Sequence, residues 1–157
     1  MTIHLSETTD SDYAAFIAGE TRDLPIAPGG LGDPGMLSML RNLAADIRQT
    51  FSPSAWSIIS DGEIVGLLSL VKTPGSSGMI EIGYGVAESR RRRGHCREAV
   101  AAFLAWAGHD PRVRSIEAET GDDNPPSRRV LEHNGFKQIG SRIDPEDGPV
   151  TRWRFTL

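Results

Sequence analysis

The segment from Met79 to Gly108 changes its hydrophobic period once, and this change constrains the fold more than any other feature of the chain. Up to Val86 the side chains alternate in character, which is typical of a β-strand. From Gly94 onwards apolar residues recur three and four positions apart, as they do in a helix with one buried face. A basic turn, Arg90–Arg93, separates the two patterns. The segment therefore predicts a strand, a basic turn and a helix that begins at a glycine.

The flanking segments predict a mostly antiparallel sheet around this unit. Asp61-Gly62 suits a tight hairpin turn between two strands, and Asn124 suits the start of a last helix that Asn134-Gly135 ends. We expect a fold of class α/β, or α+β by convention, with about four helices in a single domain over residues 1–157. Strands are predicted over Thr2–Leu5, Ala55–Ser60, Glu63–Val71, Met79–Val86, Val113–Thr120, Phe136–Ile139 and Val150–Leu157, and the other helices over Asp10–Gly19, Pro34–Thr50 and Gly94–Gly108.

Composition excludes several classes of function. No apolar run approaches the roughly 18 residues that a membrane span needs, and the amino terminus lacks a signal-peptide pattern, so we expect a cytoplasmic protein without a membrane partner. The single cysteine, Cys96, cannot form an internal disulfide, and no Cys/His cluster has zinc-ligand spacing, so no metal is predicted. A net charge of -4 argues against a nucleic-acid partner.

The basic turn predicts an anion site. A helix start presents unpaired N–H groups and the positive end of the helix dipole, Gly94 lets the backbone approach a ligand, and the neighbouring arginines suit a diphosphate. Neither of the common nucleotide-binding glycine fingerprints is present at this turn. The alternative is that the arginine run is only a solvated surface or a nucleic-acid-binding patch.

Two spaced motifs within Ile80–Phe136 resemble the GNAT superfamily of N-acetyltransferases. Arg91–Cys96 resembles its R/Q-x-x-G-x-G/A pyrophosphate loop. Asn124–Phe136 resembles the N-x-x-S…L-E-x-x-G-F stretch of the branch that includes ribosomal-protein alanine acetyltransferases. The resemblance implies transfer of an acetyl group from acetyl-CoA to a primary amine by direct attack in a ternary complex. It also implies a splayed V opening between the strands that end at Val86 and Thr120.

The resemblance further implies which residues contact the coenzyme. Main-chain groups of Tyr84, Gly85 and Val86 would pair with the pantetheine arm, and Asn124 and Ser127 would line its channel. Cys96 stands where the family usually has Gly or Ala, and Leu131 stands where many relatives carry a Tyr proposed to protonate the departing thiolate. The implied pyrophosphate loop comprises Arg91, Arg92, Arg93, Gly94, His95 and Cys96.

A general base is predicted among the carboxylates. An alkylamine with a pKa of about 10.4 must lose a proton before it attacks, whereas a thiol with a pKa of about 8.5 leaves readily near neutral pH. Glu81 is the first candidate because alternation places it on the strand face of Gly83 and Gly85, which leave open space beside it. Glu119, near the end of the neighbouring strand, is the second. Each could instead be a strand residue paired with a neighbour.

The acceptor and the partners are less constrained. A small-molecule amine and a peptide amino terminus both suit the predicted chemistry, and a homodimer is left open. The Pro/Gly-rich stretch Leu24–Gly35 is interpreted as a wall of the acceptor site, and the alternative is a plain connection. One alternative function is a CoA-binding regulatory module without turnover, which the residues at Cys96 and Leu131 motivate. Another is a nucleic-acid-binding domain that uses Arg90–Arg93.

Overall fold

A computed structural model describes residues 2–157 and shows one mixed sheet flanked by α-helices. A short 3-10 turn, Glu88–Arg90, follows the fourth strand. None of the helices in these residues is long and apolar enough to cross a membrane. The strands are β1 (Ile3–Glu7), β2 (Ala55–Ser60), β3 (Glu63–Leu70), β4 (Met79–Val86), β5 (Ser115–Gly121), β6 (Lys137–Asp144) and β7 (Gly148–Thr156), and the helices are α1 (Asp10–Ala18), α2 (Pro34–Arg48), α3 (His95–Gly108) and α4 (Pro125–His133).

The sheet has the strand order β1-β2-β3-β4-β5-β7-β6. Strands β4 and β5 are parallel and are joined through α3, and every other neighbouring pair is antiparallel. The two central strands pair only where Met79–Ile82 faces Ser115–Ala118, although β4 continues to Val86. The strands therefore splay apart into a V, and the predicted fold class is confirmed.

Two apolar clusters hold helices against opposite faces of the sheet. The larger cluster packs Phe103 of α3 against Ile80 and Ile116 of the central strands. The second brings Tyr13 of α1 and Leu37 of α2 onto β2 and β3. Alternation along β4 and β5 then places Ile82 and Ala118 toward α3, and Glu81 and Glu119 on the side of α1 and α2.

The last hairpin differs from the prediction. Strand β6 runs to Asp144 rather than ending at Ile139, and β7 begins at Gly148 rather than at Val150, so both strands are longer than predicted and a turn of residues 145–147 joins them. The reason is that β6 is an edge strand whose side chains are almost all exposed. It therefore lacks the buried alternation from which a strand is recognised.

Candidate active site

The basic turn after β4 is shaped by two residues with left-handed backbone. Arg92 has a φ of 65° and Gly94 a φ of 79°. Gly94 directly precedes α3 as its N-cap residue and has no side chain that could cap the helix. The first N–H groups of α3 are therefore left for another acceptor. Arg91 and Arg93 are exposed around the same turn. Main-chain donors, a helix amino terminus and arginines therefore converge here, and this arrangement fits a diphosphate.

The last residues of β4 form a free strand edge. Tyr84, Gly85 and Val86 pair with β3 on one side, and on the other side β5 has already diverged. Their outward main-chain groups can therefore pair with an extended, amide-bearing ligand, as a sheet edge pairs with an added strand. The Arg91 side chain reaches the same edge, where its Nε donates to the Val86 carbonyl at 3.4 Å. The predicted pantetheine contacts thus adjoin the predicted pyrophosphate loop.

Gly66 is a residue of this site that sequence reasoning missed. It lies on β3 directly opposite Val86, and a Cβ built at Gly66 would overlap the Gly85 carbonyl oxygen. The absence of a side chain therefore allows β3 to hold the free edge of β4 in place. A lone glycine inside an apolar strand was the available signal, because such a residue often marks a close approach of backbone.

Helix α4 lies across the opening from β4. The Ser127 Oγ is 3.1 Å from the Tyr84 hydroxyl oxygen, so the structure brings these two predicted residues together. Burial raises the pKa of Tyr84 to about 12, which keeps its phenol protonated at neutral pH. Asn124 caps α4 by accepting a hydrogen bond from the Ser127 N–H at 3.3 Å.

The side chains of His95 and Cys96 are uncharged near neutral pH, because burial shifts the pKa of each. Burial raises the pKa of the Cys96 thiol to about 11, so it is not a thiolate near neutral pH. His95 is buried beneath the turn, and its desolvation, assisted by the positive charge of Arg93, lowers the pKa of its imidazole. Neither side chain therefore adds a charge to the start of α3.

The two predicted bases lie on the same face of the sheet, and both are in ion pairs. The Glu81 side chain is buried, with Oε1 3.2 Å from the Lys72 Nζ. Glu119 is bound by both guanidinium arms of Arg142, at 2.6 and 2.7 Å. These hydrogen bonds from Arg142 hold the pKa of Glu119 below its usual value. Glu119 is therefore a weaker proton acceptor than an ordinary glutamate.

A cavity of about 980 Å³ opens on that face, between α2 and strands β3 and β4. It reaches the free edge of β4 at Gly83–Val86 and extends to Arg91 of the basic turn. The loop of residues 29–33 forms part of its wall, and the assignment of Leu24–Gly35 to the acceptor site stays a prediction. Glu81 and Glu119 do not line the cavity, so either carboxylate would act through intervening water.

The family of the chain follows from its sequence. The sequence model of the acetyltransferase (GNAT) domain matches residues 3–137. The chain therefore belongs to the GNAT acetyltransferases, and the predicted family is confirmed. An uncharacterized N-acetyltransferase of Bacillus subtilis (strain 168), YjdG, is 38% identical over 84 residues. That match covers 52% of this chain and spans about half, 50%, of the relative's length.

Solved structures share the whole fold. RimJ from Mycobacterium smegmatis, in complex with CoA-disulfide, is 26% identical with a TM-score of 0.69, covering 99% of this chain and 82% of its own. RimL, a ribosomal α-N-protein acetyltransferase in complex with coenzyme A, is 17% identical with a TM-score of 0.76, covering 100% and 95%. The aminoglycoside acetyltransferase AAC(6')-Ib, also with coenzyme A, is 19% identical with a TM-score of 0.72, covering 99% and 95%.

Proposed function

We propose that this chain is an N-acetyltransferase that moves an acetyl group from acetyl-CoA to a primary amine by direct attack in a ternary complex. The observation that carries the proposal is the free edge of β4, Gly83–Val86, which leads directly into the uncapped start of α3. Relatives with the same fold carry coenzyme A. We propose that one domain over residues 1–157 holds the complete site, in a cytoplasmic protein.

The coenzyme contacts are assigned to main chain and arginines. The N–H groups at the start of α3, with Arg91, Arg92 and Arg93, would hold the diphosphate. The outward groups of Tyr84 to Val86 would fix the pantetheine arm, and an N–H near Val86 would polarise the thioester carbonyl. Ser127 and Asn124 would close the channel from α4. When bound, acetyl-CoA supplies a thioester carbonyl that an unprotonated amine can attack.

Removal of the amine proton is assigned to Glu81, which would accept the proton through a water molecule. Its partner Lys72 is an exposed side chain, 67% accessible, that can move away, and the neighbouring Gly83 leaves space on the same face. Glu119 is the second candidate, because its bidentate contact with Arg142 holds its pKa below the ordinary value of a glutamate. A base is needed because the amine is protonated near neutral pH.

No side-chain acid is assigned to the departing thiolate. Leu131 is fully buried at the position where many relatives carry a Tyr. Thiols have a pKa of about 8.5, so a CoA thiolate can leave near neutral pH and take its proton from solvent. The groups proposed for catalysis therefore orient the two substrates and deprotonate the amine, and none of them protonates the thiolate.

The test is a titration of the full chain with CoA, followed by acetyl-CoA turnover. We expect CoA to bind and thiol to be released only when an amine is added. Arg91→Ala should weaken CoA binding about tenfold, because one charge-assisted contact is lost. Arg22→Ala, which removes an exposed arginine paired with Asp12, is the matched control. Binding without amine-dependent thiol would identify a regulatory module, and the absence of binding would refute the proposal.

A further inference from the structure

The cavity beside β4 has a mainly apolar wall. Its side chains come from α2, from β3 and from Val71, which follows β3. Two of its methionines are exposed, Met36 at 39% and Met39 at 59%. Methionine is flexible and polarizable, so such a wall can adapt to different hydrocarbon shapes. The apolar wall comprises Met36, Met39, Leu40, Leu43, Leu67 and Val71.

The cavity is continuous with the edge at which the acetyl group would lie. Gly83 and Gly85 belong to both, and a Cβ at Gly85 would meet nothing within 4 Å. At Gly83 the nearest side-chain atom to such a Cβ is the Val71 Cγ2, at 3.7 Å. The two glycines therefore leave an open passage from the apolar wall to the predicted position of the thioester near Val86.

The polar groups of the cavity are few, and several already have partners. The Asp33 carboxylate accepts a hydrogen bond from the Met36 N–H at 3.1 Å, because Asp33 caps α2. The Ser89 hydroxyl donates to the Pro28 carbonyl at 2.6 Å. Glu88 and Arg91 carry opposite charges on the lining. With Asp33 included, the charged side chains of the lining sum to a net charge of −1, two carboxylates against one guanidinium, which matches a ligand with one ammonium group better than a ligand with several.

The carboxylates that β4 and β5 place on the rest of this face are in ion pairs. Glu117 is buried and contacts Arg152 and Arg154 at 3.2 and 2.6 Å. Glu81 pairs with Lys72, and Glu119 with Arg142. A polycation that bound here would have to displace arginine or lysine partners from these groups. This face thus favours a ligand with one amino group over a ligand with many.

We propose that the acceptor is a monoamine with an apolar body, whose hydrocarbon or aromatic part fills the cavity while its amino group points to the β4 edge. This inference rests on the proposed acetyl transfer for its catalytic meaning, but the cavity can be tested by binding alone. In the reaction the amine nitrogen bonds to the acetyl carbon, the carbon–sulfur bond breaks, the amine proton goes to the base, and the thiolate leaves as CoA.

The test compares straight-chain amines from propylamine to octylamine with spermidine and kanamycin. Binding of each amine to the full chain without coenzyme is measured by calorimetry, and kcat/KM is measured by thiol release. We expect affinity and kcat/KM to rise about fourfold per methylene until the cavity is filled. The affinity and the kcat/KM for spermidine and kanamycin should be at least tenfold lower than those for octylamine.

Two matched variants test the location. Met39→Glu places a charge in the apolar wall. It should lower the affinity and the kcat/KM for octylamine at least tenfold, with little change in either value for propylamine. Ile143→Glu alters another exposed apolar residue, 72% accessible on β6, and should leave the preference unchanged. Both sites are exposed, so both variants should fold.

The outcomes separate the two proposals. A chain-length dependence that Met39→Glu removes, without turnover of any amine, would support the cavity and refute the transferase. Three outcomes would refute the apolar acceptor and leave the transferase standing. They are a kcat/KM that does not change with amine chain length, a higher kcat/KM for spermidine or kanamycin than for octylamine, and the same effect of Met39→Glu and Ile143→Glu on octylamine. Absence of amine binding together with absence of turnover would refute both.

Discussion

One side of the sheet is built in two contrasting ways. Over β2 and β3 it is covered by α1 and α2, whose Tyr13 and Leu37 pack into an apolar cluster. Over β5 to β7 it carries glutamates and arginines that pair with one another, such as Glu117 with Arg154. Strand β4 lies at the boundary, and its free edge adjoins the cavity of the apolar part. The contrast supports the proposal that the acceptor is recognised in the apolar part, because most charges of the other part satisfy each other.

The largest expected effect concerns Glu81 on β4, the strand at the boundary between the apolar and the charged part. Glu81→Gln should lower the turnover rate about 10²- to 10⁴-fold, the range for loss of a general base, with CoA binding unchanged. Glu119→Gln should have a much smaller effect, because the hydrogen bonds from Arg142 already hold the pKa of Glu119 low. The measurement is the rate of amine-dependent thiol release across pH. If both variants keep the wild-type rate and pH profile, neither carboxylate is the base.

The second prediction compares the stability of the two parts. Leu37 is 2% exposed, so Leu37→Ala should lower the free energy of unfolding by about 2–5 kcal/mol, through lost burial and a cavity. Arg142→Met, in the charged part, should cost at most about 1 kcal/mol because its ion pairs are partly exposed. Urea denaturation measures both, and Leu37→Met serves as a volume-conserving control. Equal losses of unfolding free energy in Leu37→Ala and Arg142→Met would contradict the expected difference in stability between the apolar and the charged part.

The smallest effect is a pH dependence in the charged part. The folded pKa of Glu119 lies below its ordinary value of 4.5, so the folded state releases this proton more readily than the unfolded state. Its contribution is complete above pH 4.5 and is lost as the pH falls through the folded pKa. Glu119→Gln should therefore make the unfolding free energy fall less steeply below pH 4.5, by at most about 1 kcal/mol. Urea denaturation at pH 3 to 6 checks this, and an unchanged slope would contradict it.

The sequence predicted the elements near the site well because their signals are local. The change of period around Gly94, the Asp61-Gly62 turn and the Asn124 cap each depend on neighbouring residues only, and each is present in the structure. The edge strand β6 was predicted too short because an exposed strand leaves no burial pattern. Gly66 was missed because its role depends on the Gly85 carbonyl of another strand.

By itself the sequence determined the β4-α3-β5 unit, its basic turn and the family to which the chain belongs. These depend on residue types at fixed spacing, which the chain displays directly. Only the tertiary structure decided that Glu119 is held by Arg142, that Tyr84 meets Ser127, and that the methionines of α2 form a wall beside β4. The physical reason is that ion pairing and cavity shape depend on contacts between residues far apart in the chain, and no local pattern encodes those contacts.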